Sequence, residues 1–137
     1  MRDEKYYEKA LRSAATTVLI DKQVDCPDGK GLLISDDPFR DYNRLAREHR
    51  PHVTWTQPIA QDGKVGEGTI IQPNVAIGHG VTIGRNCVIH SGTVIADGTV
   101  IGDEVIIQPN CIIGGDAFYY KKRPEGYDRM HSAGNVV

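Results

Sequence analysis

Aliphatic residues recur at every sixth position from Ile59 to Phe118. Written in sixes, the stretch reads IAQDGK, VGEGTI, IQPNVA, IGHGVT, IGRNCV, IHSGTV, IADGTV, IGDEVI, IQPNCI, IGGDAF. Each unit opens on Ile or Val. From Thr69 onward the fifth place holds Thr, Val, Cys or Ala, ending at Ala117. Gly, Asp, Asn and Pro stand between. A helix needs apolar residues every ~3.6 positions and a flat strand needs them every second one, so neither explains this pattern. A chain that makes a short strand, turns, and makes another does explain it. Each hexad is then one face of a coil, and equivalent aliphatics pile into columns. One unit cannot bury its own Ile, so stability must come from stacked neighbours. Gly78, Gly84 and Gly102 are expected at corners where a Cβ would clash or φ is positive.

The flanks follow other rules. Residues 3–14 read as an amphipathic helix with Tyr7, Ala10, Leu11 and Ala14 on one face and Tyr6 off it. Thr16–Ile20 and Gly31–Ser35 read as strands around a Pro27-Asp28-Gly29 turn. Asp37 is placed to N-cap a helix with Pro38 at its first position. That helix buries Phe39, Tyr42, Leu45 and Ala46, and Pro51 ends it. The predicted organisation is mainly β: a small α/β subdomain over residues 1–52, then a β-helix over 53–137 with an inserted loop at 119–134. Trp55 is expected to pack at the junction. Asn135, Val136 and Val137 read as the start of another coil.

Composition narrows the function classes. A formal charge of −2 shows no polyanion-binding character, which sets nucleic acid aside as a partner. No apolar run approaches the ~20 residues of a membrane span. The opening MRDEKYYEK is too charged for a signal peptide, so a cytoplasmic protein is expected. Cys26, Cys87 and Cys111 form no CxxC; the latter two occupy fifth places and read as small apolar thiols. No metal site is expected. His79 and His90 lie within the hexads with no evident Asp or Glu partner at a fixed offset, and His49, His52 and His131 lie outside them. No catalytic residue is assigned. Lys121, Lys122 and Arg123 form the basic run, expected to be a solvated loop face able to attract an acidic partner.

The hexads resemble those of the hexapeptide-repeat acyltransferases. The preceding α/β unit, the lead-in DDPFRDYNRLAREHRP and the closing GGDAFYYKKRPEGYDRMHSAGNVV narrow the resemblance. They are similar to the UDP-3-O-(3-hydroxyacyl)glucosamine N-acyltransferases of lipid A biosynthesis. That resemblance implies a left-handed parallel β-helix of about three coils, with three hexads per coil. It implies transfer of a 3-hydroxyacyl group from acyl carrier protein to the 2-amine of a UDP-linked, 3-O-acylated glucosamine. The enzyme would need no cofactor of its own, because the carrier's phosphopantetheine bears the acyl group. It further implies a homotrimer with active sites between neighbouring β-helices. The family's catalytic His lies in coils after the GGDAF-type loop, so the chain reads as an internal or N-terminal fragment, inactive alone. Lys5-Tyr6 matches the uridine motif, which makes Tyr6 the residue expected to stack on uracil. Asp3 stands where the family has an amide side chain, and Asp cannot donate as Asn does. Asp116 and Phe118 match the loop motif near the acyl and active-site region.

Two alternatives share the hexads. One is a sugar-nucleotide acetyltransferase using acetyl-CoA, which should lack the GGDAF-type loop. The other is a non-catalytic β-helix module for binding or assembly. A metal-dependent hydrolase similar to the γ-class carbonic anhydrases would need three His ligands, and His79 and His90 do not supply that spacing.

Overall fold

The computed structural model describes residues 4–137. They form two compact units: the chain up to His49 together with Tyr119–Met130, and Arg50–Phe118 together with His131–Val137.

The first unit begins with α1 (Glu4–Leu11), β1 (Thr17–Ile20), β2 (Gly31–Ile34) and α2 (Pro38–His49). The two strands pair in parallel from Thr17↔Gly31 to Ile20↔Ile34, with Val18 and Ile20 buried. Asp37 caps α2, its Oδ1 accepting from Arg40 N at 3.4 Å, and Pro38 holds the first helical place. The buried side of α2 follows the apolar spacing at Ala46, with Phe39 and Leu45 half-buried, but departs from it at Tyr42 and Asn43. Asn43 and Ala46 are buried, whereas Tyr42 is exposed. The reason lies some 80 residues downstream. An antiparallel hairpin within residues 120–129 meets this face, where Asn43 Nδ2 donates to the Arg129 carbonyl at 2.9 Å.

The repeat comes next. Three three-stranded parallel sheets are built from two-residue strands. One joins β3 (Lys64–Val65), β6 (Thr82–Ile83) and β9 (Val100–Ile101). Another joins β4 (Ile70–Ile71), β7 (Val88–Ile89) and β10 (Ile106–Ile107). The last joins β5 (Ala76–Ile77), β8 (Val94–Ile95) and β11 (Ile112–Ile113). The register is one coil: Lys64 pairs with Thr82 and Thr82 with Val100. This is a parallel β-helix. First-place Ile77, Ile83, Ile89 and Ile95 are fully buried, together with fifth-place Val81, Cys87, Thr93 and Thr99. Sixth-place residues are strand residues too, so the pleat turns them outward.

The corners have a rule of their own. Every fourth place from Gly68 to Asn110 has positive φ, including Asn74 (63°), Asn86 (55°), Glu104 (60°) and Asn110 (59°). Gly and Asn tolerate this region; Glu does so at a cost. The second-place glycines do a different job. A Cβ on Gly84 would fall 2.5 Å from the Gly102 carbonyl carbon and oxygen, and one on Gly78 would strike Trp55 and Asp97. Gly102 has nothing within 4 Å of such a Cβ. The expectation of clash therefore holds at Gly78 and Gly84 but not at Gly102, and positive φ belongs to the fourth place.

The tenth hexad does not close in sequence. Sixth-place N–H groups donate to the fifth-place carbonyl one coil on: Lys64 to Val81 at 2.9 Å, Thr82 to Thr99 at 2.9 Å. Val100 should then donate to Ala117, but it donates to Val136 at 2.9 Å. Val136 has taken the place that spacing assigns to Ala117. The chain leaves at Gly114, whose φ of 75° is exceptional for a second place. Between departure and return lie β12 (Tyr120–Arg123) and β13 (Gly126–Arg129), an antiparallel hairpin belonging to the first unit.

Candidate functional site

The corners of the β-helix carry its polar chemistry, because inward places are apolar and outward strand places are mostly aliphatic. Third-place residues line two of these edges, one with His79 and Asp97 and the other with Arg85 and Asp103. His79 N donates to Asp97 Oδ1 at 2.7 Å, and Arg85 N donates to Asp103 Oδ1 at the same distance. An Asp one coil on thus satisfies the backbone of the corner before it. Asp97 also accepts from Trp55 Nε1 at 2.8 Å, which fixes Trp55 against the coil.

His79 has a carboxylate partner after all. Its Nδ1 lies 3.2 Å from Asp62 Oδ1, while the other Asp62 oxygen accepts from Gly80 N at 3.1 Å. A carboxylate only accepts, so Nδ1 carries a proton, and in the neutral tautomer the lone pair is on Nε2. The offset is 17 residues, one coil less one place, and is invisible unless the sequence is wrapped at eighteen. His90 Nδ1 faces Gln72 Oε1 at 3.2 Å, and the same oxygen accepts from Ser91 N. His49 and His131 give their protons to the carbonyls of Leu45 and Arg50, each at 2.9 Å. His79 is therefore a histidine whose ring is oriented by an acid. Among the described residues no three His, Cys, Asp or Glu side chains gather as a metal site.

The return of the chain forms a second polar locus. Arg50 Nη1 donates to the Ala133 carbonyl at 2.8 Å and also reaches Asn135 Oδ1. Ala117 N donates to Ser132 Oγ at 3.0 Å. The GGDAF segment is thus pinned where it leaves the coil. Asp116 is exposed, and Phe118, at 93% exposure, is not buried in a core.

The remaining predicted residues lie in the other unit. Tyr6 stands on α1 with 58% of its surface exposed. Its neighbour Tyr7 is the anchored aromatic: its hydroxyl donates to Asp21, and Lys22 Nζ sits 5.1 Å from its ring centroid. Asp3 lies outside the described residues.

The basic run is not a free loop face. Arg123 ion-pairs with Asp37 at 2.6 Å and Asp128 at 2.9 Å, and Lys121 approaches Asp37 at 3.5 Å. The Arg123 side chain holds the Asp37 carboxyl down to about 2. Arg40 completes the network with Asp128 at 3.0 Å and with Glu125, which keeps both of those acids below their usual range. Alternation along β12 places Lys121 and Arg123 against α2 and leaves Lys122 exposed.

A family model for the bacterial transferase hexapeptide (six repeats) matches residues 62–97. Over this segment the chain is similar to that repeat family. The segment covers β3 to β8 with the His79–Asp62 corner, and the same stacking continues beyond it to β11. A search of curated proteins finds no match to the chain. No helix among the described residues is long and apolar enough to cross a membrane.

Proposed function

We propose that the protein acts in acyl transfer from acyl carrier protein to the 2-amine of UDP-3-O-acylglucosamine. The observation that carries this is the interruption of a transferase hexapeptide stack at GGDAF, behind an α/β unit. An acetyl-CoA-dependent sugar acetyltransferase would share the stack without that interruption. The chemistry needs a base for the attacking amine and donors for the thioester oxyanion. Incubation with hydroxyacyl carrier protein or acetyl-CoA, each with the UDP-amino sugar, separates the two by product mass. Acetyl transfer without hydroxyacyl transfer overturns the carrier-protein reading.

The oriented His79 favours a second reading of the base. Resemblance puts the catalytic His in coils after the loop; the Asp62 pair would put it at position 79. A His79→Gln variant decides. A loss of roughly 10²–10⁴ in kcat makes His79 the base; a rate within about two-fold of the parent leaves it a corner residue.

The outward aliphatic faces support a trimer. Ile70 and Ile106, 59% and 61% exposed, flank Val88 on one sheet. Solvent is a poor partner for such a column, and two further copies packed around a threefold axis would cover it. A double Ile70→Lys, Ile106→Lys variant should run as a monomer in light scattering. An unchanged mass would move the interface elsewhere. An acyl carrier protein as donor suits a cytoplasmic site of action.

A further inference from the structure

We propose that the His79 corner binds an amino sugar, with the sugar ring against the Trp55 indole and its amine donating to Asp97 Oδ2 and His79 Nε2. The inference rests on the reading of His79 as the base, and adds to it the residues that hold the substrate there. All of them belong to the unit formed by Arg50–Phe118 and His131–Val137.

Two corners of the repeat are built alike and finished differently. In each, an Asp one coil on accepts the third-place backbone N–H with Oδ1: Asp97 from His79, Asp103 from Arg85. At the Arg85 corner the remaining oxygen is used as well, since Asp103 Oδ2 accepts from Arg85 Nε at 3.3 Å and Nη2 at 2.8 Å. At the His79 corner it is not. Asp97 Oδ1 takes both the His79 N–H and the Trp55 indole N–H, and Oδ2 takes no hydrogen bond among the described residues. That oxygen is an acceptor left to a ligand. The neutral His79 ring presents a second acceptor at Nε2, because Asp62 holds the proton on Nδ1.

The indole is fixed at two points. Its N–H is on Asp97, and its Cζ2 edge lies so close to Gly78 that a Cβ there would come within 2.5 Å. The ring is half-buried, which leaves part of its surface to solvent. Beyond Asp97, Arg50 Nη2 stands 2.7 Å from where a Cβ on Gly98 would be, and Gly98 N donates to the His79 carbonyl at 2.8 Å. The corner thus joins an aromatic surface, two acceptors and a guanidinium donor, the mixture that small-molecule sites use. An aminated pyranose matches each part. Its C–H face suits the indole, and its hydroxyl oxygens accept from Arg50. Its amine has protons for both acceptors, with a charge-assisted bond to Asp97 when protonated. A hydroxyl in the amine's place has one proton and leaves an acceptor unpaired, which is how polar sites reject an analogue.

Trp55 is the chain's one tryptophan, so its fluorescence reports this corner. The full chain is titrated with glucosamine and with glucose. A saturable change with glucosamine, and affinity at least about ten-fold weaker for glucose, supports the site. Asp97→Asn keeps an oxygen for the indole and the His79 N–H but turns Oδ2 into an amide donor, and glucosamine affinity should fall at least about ten-fold. If that variant melts early, the contrast between the two sugars on the parent chain decides. No saturable change with glucosamine overturns the proposal. So does equal affinity for both sugars, or unchanged affinity in a stably folded Asp97→Asn. The rate of His79→Gln is read separately. A fluorescence response with a parent-like His79→Gln rate keeps the sugar site and removes the base; a lost rate without a response keeps the base and removes the sugar site.

Discussion

The two units are held together by different physics. In the repeat, each coil pairs its backbone with the next and buries an aliphatic beneath its neighbour's, at a fixed offset of 18 residues. In the first unit, a hairpin contributed by Tyr119–Met130 is joined to α2 by Asp37, Arg40, Arg123, Glu125 and Asp128. The repeat depends on shape at short range. The hairpin unit depends on charge between residues more than 80 positions apart. Failure should therefore be steric in one and electrostatic in the other.

The largest effect expected is steric. Gly84→Ala places a Cβ 2.5 Å from backbone atoms of Gly102, which cannot rotate away as a side chain could. The coils must separate, and a loss of about 3 kcal/mol or more is expected, comparable to a large core truncation. Gly102→Ala meets nothing within 4 Å and should stay within about 0.5 kcal/mol of the parent. Denaturant melts of the pair measure the contrast. Equal losses would mean that both glycines serve the unfolded chain's entropy rather than a close approach.

That pair also marks where the sequence stops being legible. The columns could be read off because their period is strict and the force behind them, burial under the next coil, is local. Gly84 and Gly102 look identical in the hexads, yet only one is crowded, since crowding depends on what the following coil places above it. Ala117 matched the fifth-place pattern, but Val136 fills the slot; a six-residue period cannot say when a chain leaves and returns. The buried Asn43 looked polar and the Arg123 region looked solvated for a common reason. Each finds its partner across the chain, and no local spacing encodes that. His79 and Asp62 lay in plain view but needed the sequence wrapped at 18 to be seen as neighbours.

Charge should break the first unit before the repeat. The Asp37 carboxyl is lowered from 3.8 to about 2, chiefly by its hydrogen bond to Arg123. A depressed carboxylate contributes stability that is complete above its unfolded pKa and is lost as pH falls through the folded one. The window thus runs from roughly pH 4 down to about 2. Asp37 is partly exposed, so screening leaves its contribution at about 1 kcal/mol. Amide exchange should show β12 and β13 opening on acidification while the columns stay protected. Asp37→Asn should flatten that dependence. Acid opening of the repeat first would reverse the assignment of charge and shape to the two units.

The smallest effect is a gain. Glu104 occupies a corner with φ of 60° where the other hexads from Gly68 to Asn110 place Gly or Asn. Its backbone is satisfied, the N–H donating to the Arg85 carbonyl at 2.8 Å, so the cost lies in the Cβ and not in a missing bond. Gly removes that strain but adds freedom to the unfolded chain, whereas Asn tolerates the conformation at smaller entropic cost. Glu104→Asn should therefore stabilise the repeat by about 0.5–1 kcal/mol, and Glu104→Gly by somewhat less. The order of the two variants discriminates more sharply than their size. If Gly exceeds Asn, relief at the corner outweighs unfolded-state entropy. If neither stabilises, contacts of the Glu104 side chain offset its backbone strain, and the corner rule is weaker than the uniform sign of φ at the fourth places implies.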